Sequence, residues 1–322
     1  MNPEQFFRAS GLIIVAGKGG VGKTTVTAAL AVAASSVGLR TLIVEVEGKD
    51  GMTSMFETGG LNYDELILVH AAEEHAGVRA RTLTPDDALL DYLSGRGLHR
   101  ISNRLVKSGV LDMVATAIPG IRDILVLGKV KQLERTDEQD LIILDAPAAG
   151  HAISFLRSAR GLADAVKVGP ISTQAEEVLE LLNDRRRCRV VLVTLPEETP
   201  VNELIETAFS LEEEVGVALG PVVVNGVLPP LPGLEVDPHA AADETGITLL
   251  DEEPELLAEA GAFRRSREAI QRTQLERMAD VLPLPQLRLP YLFSSELGRE
   301  ELDRLAEELL TGIHALPEGG GA

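Results

Sequence analysis

The segment GKGGVGKTT, residues 17–25, places glycines, two lysines and two threonines directly after the apolar run GLIIVA. It matches the pattern G-x-x-x-x-G-K-[ST], in which backbone N–H groups surround phosphates, the lysine contacts the β- and γ-phosphates and the hydroxyl coordinates Mg²⁺. In this chain those last two residues are Lys23 and Thr24. We therefore predict a nucleotide-binding loop formed by Gly17, Lys18, Gly19, Gly20, Val21, Gly22, Lys23, Thr24 and Thr25.

The elements that must position this loop are short apolar runs at 11–16, 41–46, 140–146, 189–195, 221–225 and 284–290. The runs are nearly continuous in Val, Ile and Leu, which is typical of strands buried on both faces of a parallel sheet. Helix-like sequence separates each run from the next. The pattern predicts an α/β fold with a doubly wound, mainly parallel sheet, as in P-loop NTPases.

The whole chain, residues 1–322, is predicted to form a single domain around this sheet. Residues 85–139 contain no convincing strand and read as amphipathic helix with breaks at SGRG, SGV and IPG, so we predict an inserted helical subdomain there. A second helical stretch covers about 239–280. The tail, residues 316–322, is predicted to be flexible.

Composition limits the classes of partner. With 30 basic and 50 acidic residues the net charge is −20, which disfavours nucleic acid and anionic membrane surfaces. The basic run RRRCR, residues 185–189, is read as a solvated helix end in preference to a phosphate-backbone site. The single Cys188, the lack of a signal peptide and the lack of an apolar run of membrane-spanning length predict a cytoplasmic protein without an integral membrane segment.

Lys18 is an additional lysine that the general loop pattern does not require. The loop GKGGVGKT resembles the deviant loop of the class that contains cell-division positioning ATPases, nitrogenase iron protein and ArsA-like ATPases. That resemblance implies a dimer in which Lys18 acts as a catalytic residue on the nucleotide of the partner subunit, where a cation stabilises charge on the transferring phosphoryl group. The alternative is a solvent-facing lysine at a loop tip.

The segment DAPAAGHAISFL, residues 145–156, is similar to switch II of the ArsA-like ATPases, which include the arsenite-pump ATPase and the eukaryotic tail-anchored-protein targeting ATPase. The resemblance implies that Asp145 holds Mg²⁺ through water and that Gly150 senses the γ-phosphate. His151 can be structural or catalytic. The segment PGIRDIL, residues 119–125, resembles a helix start of the same family.

Weaker resemblances imply three more contacts. Asn225 in VVVNG and Pro290 in LRLPYLF correspond to adenine-contacting positions, and Glu197 in TLPEE corresponds to a glutamate that faces the partner subunit. For Asn225 a plain strand-end turn remains open. The absence of a guanine-reading Asn-Lys-x-Asp run favours ATP. The layout with VEVEG after the second strand resembles an actinobacterial single-domain type that occurs as paired paralogues.

The sequence departs from the family after the second strand. The family's switch I aspartate orients the attacking water, but here EVEGKDG places Glu47 at that position. Glu45 and Glu47 alternate along an extended strand end and would share one face. We predict that Glu45 lies near Mg²⁺ through water and that Glu47 is the catalytic carboxylate at the nucleophile, with paired surface carboxylates as the alternative.

The sequence also lacks the features by which the two branches of the family bind their clients. One cysteine cannot reproduce the thiolate site of the arsenite branch. The inserted helices contain a single methionine, Met113, whereas the apolar groove of the tail-anchored branch is often methionine-rich. We predict Mg²⁺-dependent ATP hydrolysis by a dimeric nucleotide switch, a homodimer or a heterodimer with a paralogue. Its client is unidentified and can include a transient membrane-protein partner. The alternatives are a hydrolytically silent subunit of a heterodimer and a chaperone-like carrier of an apolar segment.

Overall fold

The computed structural model describes residues 1–46, 51–73, 75–94, 120–147 and 149–317. The strands of these ranges are β1 Leu12–Gly17, β2 Thr41–Val46, β3 Leu66–Val69, β4 Val78–Leu83, β5 Leu141–Asp145, β6 Cys188–Thr194, β7 Val222–Val227 and β8 Gln286–Pro290. They form one eight-stranded sheet in the order β3-β4-β2-β5-β1-β6-β7-β8. All neighbouring strands are parallel except β3 and β4, which pair antiparallel.

Helices cover both faces of the sheet. Their bounds are α1 Pro3–Arg8, α2 Lys23–Ser36, α3 Gly51–Met55, α4 Pro85–Ser94, α5 Ile121–Glu134, α6 Ala149–Ala165, α7 Pro170–Asn183, α8 Glu198–Ser210, α9 Pro238–Thr245, α10 Glu253–Val281 and α11 Arg299–His314. A π-helical turn, Leu211–Val215, follows α8. None of the described helices is both long enough and apolar enough to cross a bilayer.

The central strands are buried on both faces, as their continuous apolar sequences predict. Leu12 and Ile14 of β1 pack into the layer formed by α5 to α8 and part of α10, whereas Ile13 and Val15 pack into the layer that contains α2 and α11. The alternation follows from the two-residue period of a strand. The predicted α/β, mainly parallel fold is therefore confirmed.

The sequence pattern missed two strands, β3 and β4, which lie between β2 and β5 in addition to the helices expected there. Strand β3 is the edge strand of the sheet, and β4 lies between β3 and β2. Arg79 and Arg81 of β4 form ion pairs with Glu65, the residue that precedes edge strand β3. These arginines interrupt the apolar run and hide the strand from a pattern based on Val, Ile and Leu.

The described parts of residues 85–139 are helical up to Glu134. In the contact between α4 and α5, Asp91 accepts hydrogen bonds from Lys129 Nζ at 2.5 Å and from the Tyr63 hydroxyl. Apart from Ser94 and Gly120, the breaks of the predicted insertion lie outside the described residues, as do residues 318–322 of the tail, so the subdomain and the flexible tail stay predictions.

The basic run at 185–189 is not solvated throughout. Arg185 and Arg186 are exposed, but Arg187 forms two hydrogen bonds with Glu134, and Arg189 donates to the Phe6 carbonyl. Burial lowers the pKa of Arg189 to about 10. The solvated interpretation is therefore wrong for the second half of the run, because these arginines join the start of β6 to other elements.

Between β7 and β8 the chain leaves the sheet for an unusually long crossover. We call residues 229–264 the β7–β8 excursion. The part of α10 that follows it carries the buried residues Gln271, Leu275 and Met278. Large apolar side chains of the excursion are exposed: Leu231, Val236, Ile247, Leu250, Leu256, Leu257 and Phe263.

Candidate nucleotide-binding site

The loop between β1 and α2 depends on its glycines for shape. Gly20 and Gly22 have φ angles of 84° and 87°, in the left-handed region that side-chain-bearing residues rarely adopt. A Cβ atom on Gly17 would lie 2.4 Å from the Val193 carbonyl oxygen. The loop can therefore turn tightly at the carboxyl end of β1 and direct the start of α2 toward an anion.

Lys23 is the first residue of α2 and is only 7% exposed. Its Nζ donates a hydrogen bond to the Lys18 carbonyl at 2.9 Å, so the loop curls around this ammonium group. Val21 is buried, and Thr25 is half-buried on the first turn of α2. An ammonium group within a loop of glycines can bind phosphate oxygens as a fixed positive charge.

Three oxygen-bearing side chains meet beneath the loop. The Thr24 hydroxyl donates to Asp145 Oδ2 at 2.8 Å. Asp145 and Glu45 are register partners at the carboxyl ends of β5 and β2, and both are fully buried. The Thr82 hydroxyl of β4 donates to Glu45 Oε2 at 3.3 Å. Hydroxyl and carboxylate oxygens are the ligands that Mg²⁺ prefers.

This donor set fits a magnesium ion bound together with a nucleotide. Among the described residues, no group of three or more His, Cys, Asp or Glu side chains is placed to hold a metal. Mg²⁺ is usually held by one or two carboxylates, water and substrate phosphates. The chemistry of Thr24, Asp145 and Glu45 therefore matches a site that is completed by phosphate oxygens.

Lys18 does not extend freely from the loop. Its Nζ donates to Glu203 Oε1 of α8 at 2.5 Å, and the two side chains are 42% and 38% exposed. Lys18 is thus at the surface, as both sequence interpretations require, but it contacts a carboxylate of its own chain. Sequence reasoning missed Glu203, which lies 185 positions away from Lys18 and belongs to no motif.

The remaining predicted residues lie around the same edge of the sheet. Asn225 Nδ2 donates to the Val21 carbonyl at 3.0 Å, and a Cβ atom on Gly22 would lie 2.3 Å from this nitrogen. Asn225 therefore contacts and supports the loop itself. Pro290 ends β8, and the next N–H, of Tyr291, donates to the Val227 carbonyl at 2.7 Å.

Glu197 is the residue before α8 and forms an ion pair with Arg267 of α10, with 2.9 Å between Nη2 and Oε1. It is near the surface but, like Lys18, is paired within its own chain. The predicted nucleophile residue Glu47 lies outside the described residues. Gly150 lies in the first turn of α6, and a Cβ atom on Gly51, the first residue of α3, would lie 3.7 Å from Thr24 Cγ2.

A glycine loop that ends in lysine and threonine at a helix start, above carboxylates on neighbouring parallel strands, defines a P-loop nucleoside triphosphatase. Residues 10–169 match the family model described as "Anion-transporting ATPase". ATPase BagA of Mycobacterium tuberculosis is 33% identical over 327 residues, covering 92% of each chain.

More distant relatives are similar across most of this chain. ATPase GET3 of Chaetomium globosum is 24% identical and covers 93% of this chain and 90% of its own length. An arsenical pump-driving ATPase of Halobacterium salinarum is 23% identical, and the match covers 94% of this chain and 44% of that protein. The chain belongs to the ArsA-type anion-transporting ATPase family and is an ATPase. The predicted family and enzyme class are confirmed.

Proposed function

We propose that this ATPase binds Mg·ATP at the 17–25 loop and works as a nucleotide-dependent switch made of two chains. The observation that carries the proposal is the meeting of Thr24, Asp145 and Glu45 beneath a loop whose glycines leave room for phosphates. A bound Mg²⁺ supplies charge neutralisation at the phosphates. The loop N–H groups and Lys23 fix the β- and γ-phosphates in position.

Each predicted residue has a role in this proposal. Thr24 coordinates Mg²⁺ directly, and Glu45 and Asp145 hold it through water. Glu47 orients the attacking water, and the Gly150 backbone senses the γ-phosphate at the start of α6. Asn225 and Pro290 contact the adenine, which is supported by the contact of Asn225 with the loop and by the place of Pro290 on neighbouring β8.

Two chains are proposed because Lys18, which contacts Glu203 of α8, and Glu197, which directly precedes α8, both lie at the surface. Lys18 would act on the partner's nucleotide, where its positive charge stabilises the transferring phosphoryl group. The second chain is either another copy or a paralogue, and the client is unidentified. The cytoplasmic location stays a prediction.

The test is steady-state Mg·ATP hydrolysis by the purified chain over a wide range of protein concentration, beside Lys18→Ala. We expect turnover per chain to rise with concentration in the natural protein and to be lost in the variant. Turnover that is independent of concentration and survives in Lys18→Ala would refute the action of Lys18 on a partner's nucleotide.

A silent subunit of a heterodimer is the second candidate function, and the glutamate at position 47 favours it. A glutamate is one methylene longer than the family aspartate, so the carboxylate reaches the attacking water only if the loop retreats. The assay separates this case, because a silent subunit would bind Mg·ATP but would show no more turnover than Lys18→Ala at any concentration.

A carrier of an apolar segment is the third candidate, and the exposed apolar side chains of the β7–β8 excursion favour it. A hydrophobic dye titrated with and without Mg·ATP tests this function. The carrier function requires nucleotide-dependent dye binding that falls in Phe263→Ser, since Phe263 is 70% exposed. Dye binding that is independent of nucleotide would count against a carrier.

A further inference from the structure

The contact between Lys18 and Glu203 joins the nucleotide loop to α8. Glu203 is on the turn of α8 that faces the loop, and its Oε1 accepts from Lys18 Nζ at 2.5 Å. Gly17, Pro200 and Leu204 line the same narrow cleft, whose volume is about 10 Å³. The cleft is too small for a nucleotide group, so the carboxylate faces Lys18 and not a ligand pocket.

The second carboxylate oxygen of Glu203 accepts no hydrogen bond within the described part of the chain. Oε2 is buried and has no hydrogen-bond donor among the described residues. A carboxylate oxygen that has lost its water and gained no hydrogen bond makes this position of the side chain less stable. Glu203 therefore binds Lys18 without the additional donors that would make the contact permanent.

We propose that Glu203 is a positioning residue that holds Lys18 against its own chain until a more highly charged group, the nucleotide phosphates of a second chain, competes for the ammonium. This inference rests on the proposed two-chain function and adds a regulatory element to it. While Lys18 contacts Glu203 its ammonium group is held beside α8 of its own chain, so the inference requires this ion pair to open before Lys18 acts on a partner.

The restraint is weak enough to be overcome. Lys18 and Glu203 are each about two-fifths exposed, and ion pairs with this exposure are screened by water and salt. Removing such a restraint is expected to change the population of released Lys18 about two- to fivefold. A triphosphate with its several negative charges attracts an ammonium group more strongly than a single carboxylate does.

The first experiment measures the rate at which acetic anhydride labels Lys18, by mass spectrometry of the full-length protein without nucleotide. Exposed Lys167 is the internal reference. We expect Glu203→Gln to raise the relative labelling rate about two- to fivefold, because an amide holds an ammonium group less tightly than a carboxylate does. Glu203→Asp retains the charge and is expected to restore much of the protection.

The matched control is Glu206→Gln, which removes the same charge from an exposed position one turn further along α8. Its Lys18 labelling is expected to equal that of the natural protein. Equal labelling in Glu203→Gln and the natural protein would overturn the proposal. An equal rise in both glutamine variants would also overturn it, since a general charge effect would then explain the result.

The second readout is the protein concentration that gives half-maximal ATP turnover per chain. Glu203→Gln is expected to lower it about two- to fivefold and to leave saturated turnover unchanged, because the restraint acts before assembly. If Lys18 is more reactive in Glu203→Gln but the protein concentration for half-maximal turnover is higher or unchanged, the proposed restraint on Lys18 would be overturned. Faster labelling without turnover in any variant would support the restraint and contradict the proposed two-chain ATPase.

Discussion

Carboxylates occupy both ends of the central strands, but their partners differ. At the amino ends, Asp140 accepts hydrogen bonds from the Arg40 guanidinium and Glu134 accepts them from Arg187. At the carboxyl ends, the buried Asp145 accepts a hydrogen bond from the hydroxyl of a threonine in the nucleotide loop. The amino ends thus match anions with fixed cations, whereas the carboxyl ends place anions below a phosphate-binding loop.

The difference indicates a division of labour along one sheet. Arginine–carboxylate pairs stabilise the fold and need no ligand, since their hydrogen bonds are already made. Buried oxygens beside a glycine loop can take part in ligand binding, because hydroxyl and carboxylate groups there suit Mg²⁺ and its water. Changes at the carboxyl ends should therefore alter chemistry, and changes at the amino ends should alter stability alone.

The largest effect is expected for Lys23→Ala at the carboxyl end. The loss of this buried ammonium group should lower ATP turnover about 100-fold or more, because a positioned cation at the transferring phosphate is lost. A steady-state phosphate-release assay measures this change, and urea unfolding checks that the chain remains folded. A Lys23→Ala protein with normal turnover would contradict the assignment of chemistry to this end of the sheet.

Gly22→Ala should give the next largest effect. Its φ of 87° is unfavourable for alanine, and the new Cβ would push Asn225 away from the Val21 carbonyl. We expect a loss of about 2–3 kcal/mol in the free energy of unfolding. Gly19→Ala is the matched control, since no atom lies within 4 Å of its added Cβ, and it should change stability by less than about 0.5 kcal/mol.

Chemical denaturation of the two alanine variants shows whether the backbone conformation at Gly22, or the loss of any glycine from the loop, lowers the stability. If Gly19→Ala were as destabilising as Gly22→Ala, the conformational argument would be wrong, since of these two glycines only Gly22 has a left-handed φ.

Glu134→Gln sharpens the comparison from the amino end. Glu134 accepts from Arg187 at 3.0 and 2.6 Å and raises the pKa of that guanidinium. The substitution should lower the free energy of unfolding by about 1–2 kcal/mol, since it weakens a partly exposed charged pair. Turnover at saturating Mg·ATP should stay within about twofold of normal. Exposed Glu138→Gln is the control and should alter neither property.

The smallest effect concerns pH. The Arg40 guanidinium holds the pKa of Asp140 below its ordinary value. A depressed carboxyl pKa stabilises the folded state above the unfolded pKa of about 3.9, and this stability is lost as pH falls through the folded pKa. The difference in melting temperature between the natural protein and Asp140→Asn, about 1–2 °C at pH 7, should therefore begin to shrink as pH falls below about 4 and disappear only below the folded pKa. A difference that kept its full pH 7 size at about pH 2 would exclude this linkage.

The sequence predicted the loop and the central strands because their signals are local. Glycines and Lys23 occur at fixed spacing, and buried parallel strands such as β5 are almost purely aliphatic. Strand β4 was missed because Arg79 and Arg81 break its apolar pattern. Glu203 could not be predicted, since its meeting with Lys18 depends on how β6 and α8 fold back onto the loop.

Near the nucleotide loop, the long helix α10 is held by Gln271 and, one turn earlier, by the ion pair of Arg267 with Glu197. Gln271 accepts a hydrogen bond from the Leu228 N–H at 2.9 Å and donates to the Gly226 carbonyl at 3.2 Å, beside Asn225. The helix extends about 27 Å from this point to its first residue, at 1.5 Å per residue. A tilt of about 10° at Gln271 would displace that end by about 5 Å. A small rotation of α10 beside the nucleotide loop would therefore be amplified into a larger displacement of the exposed apolar side chains of the β7–β8 excursion.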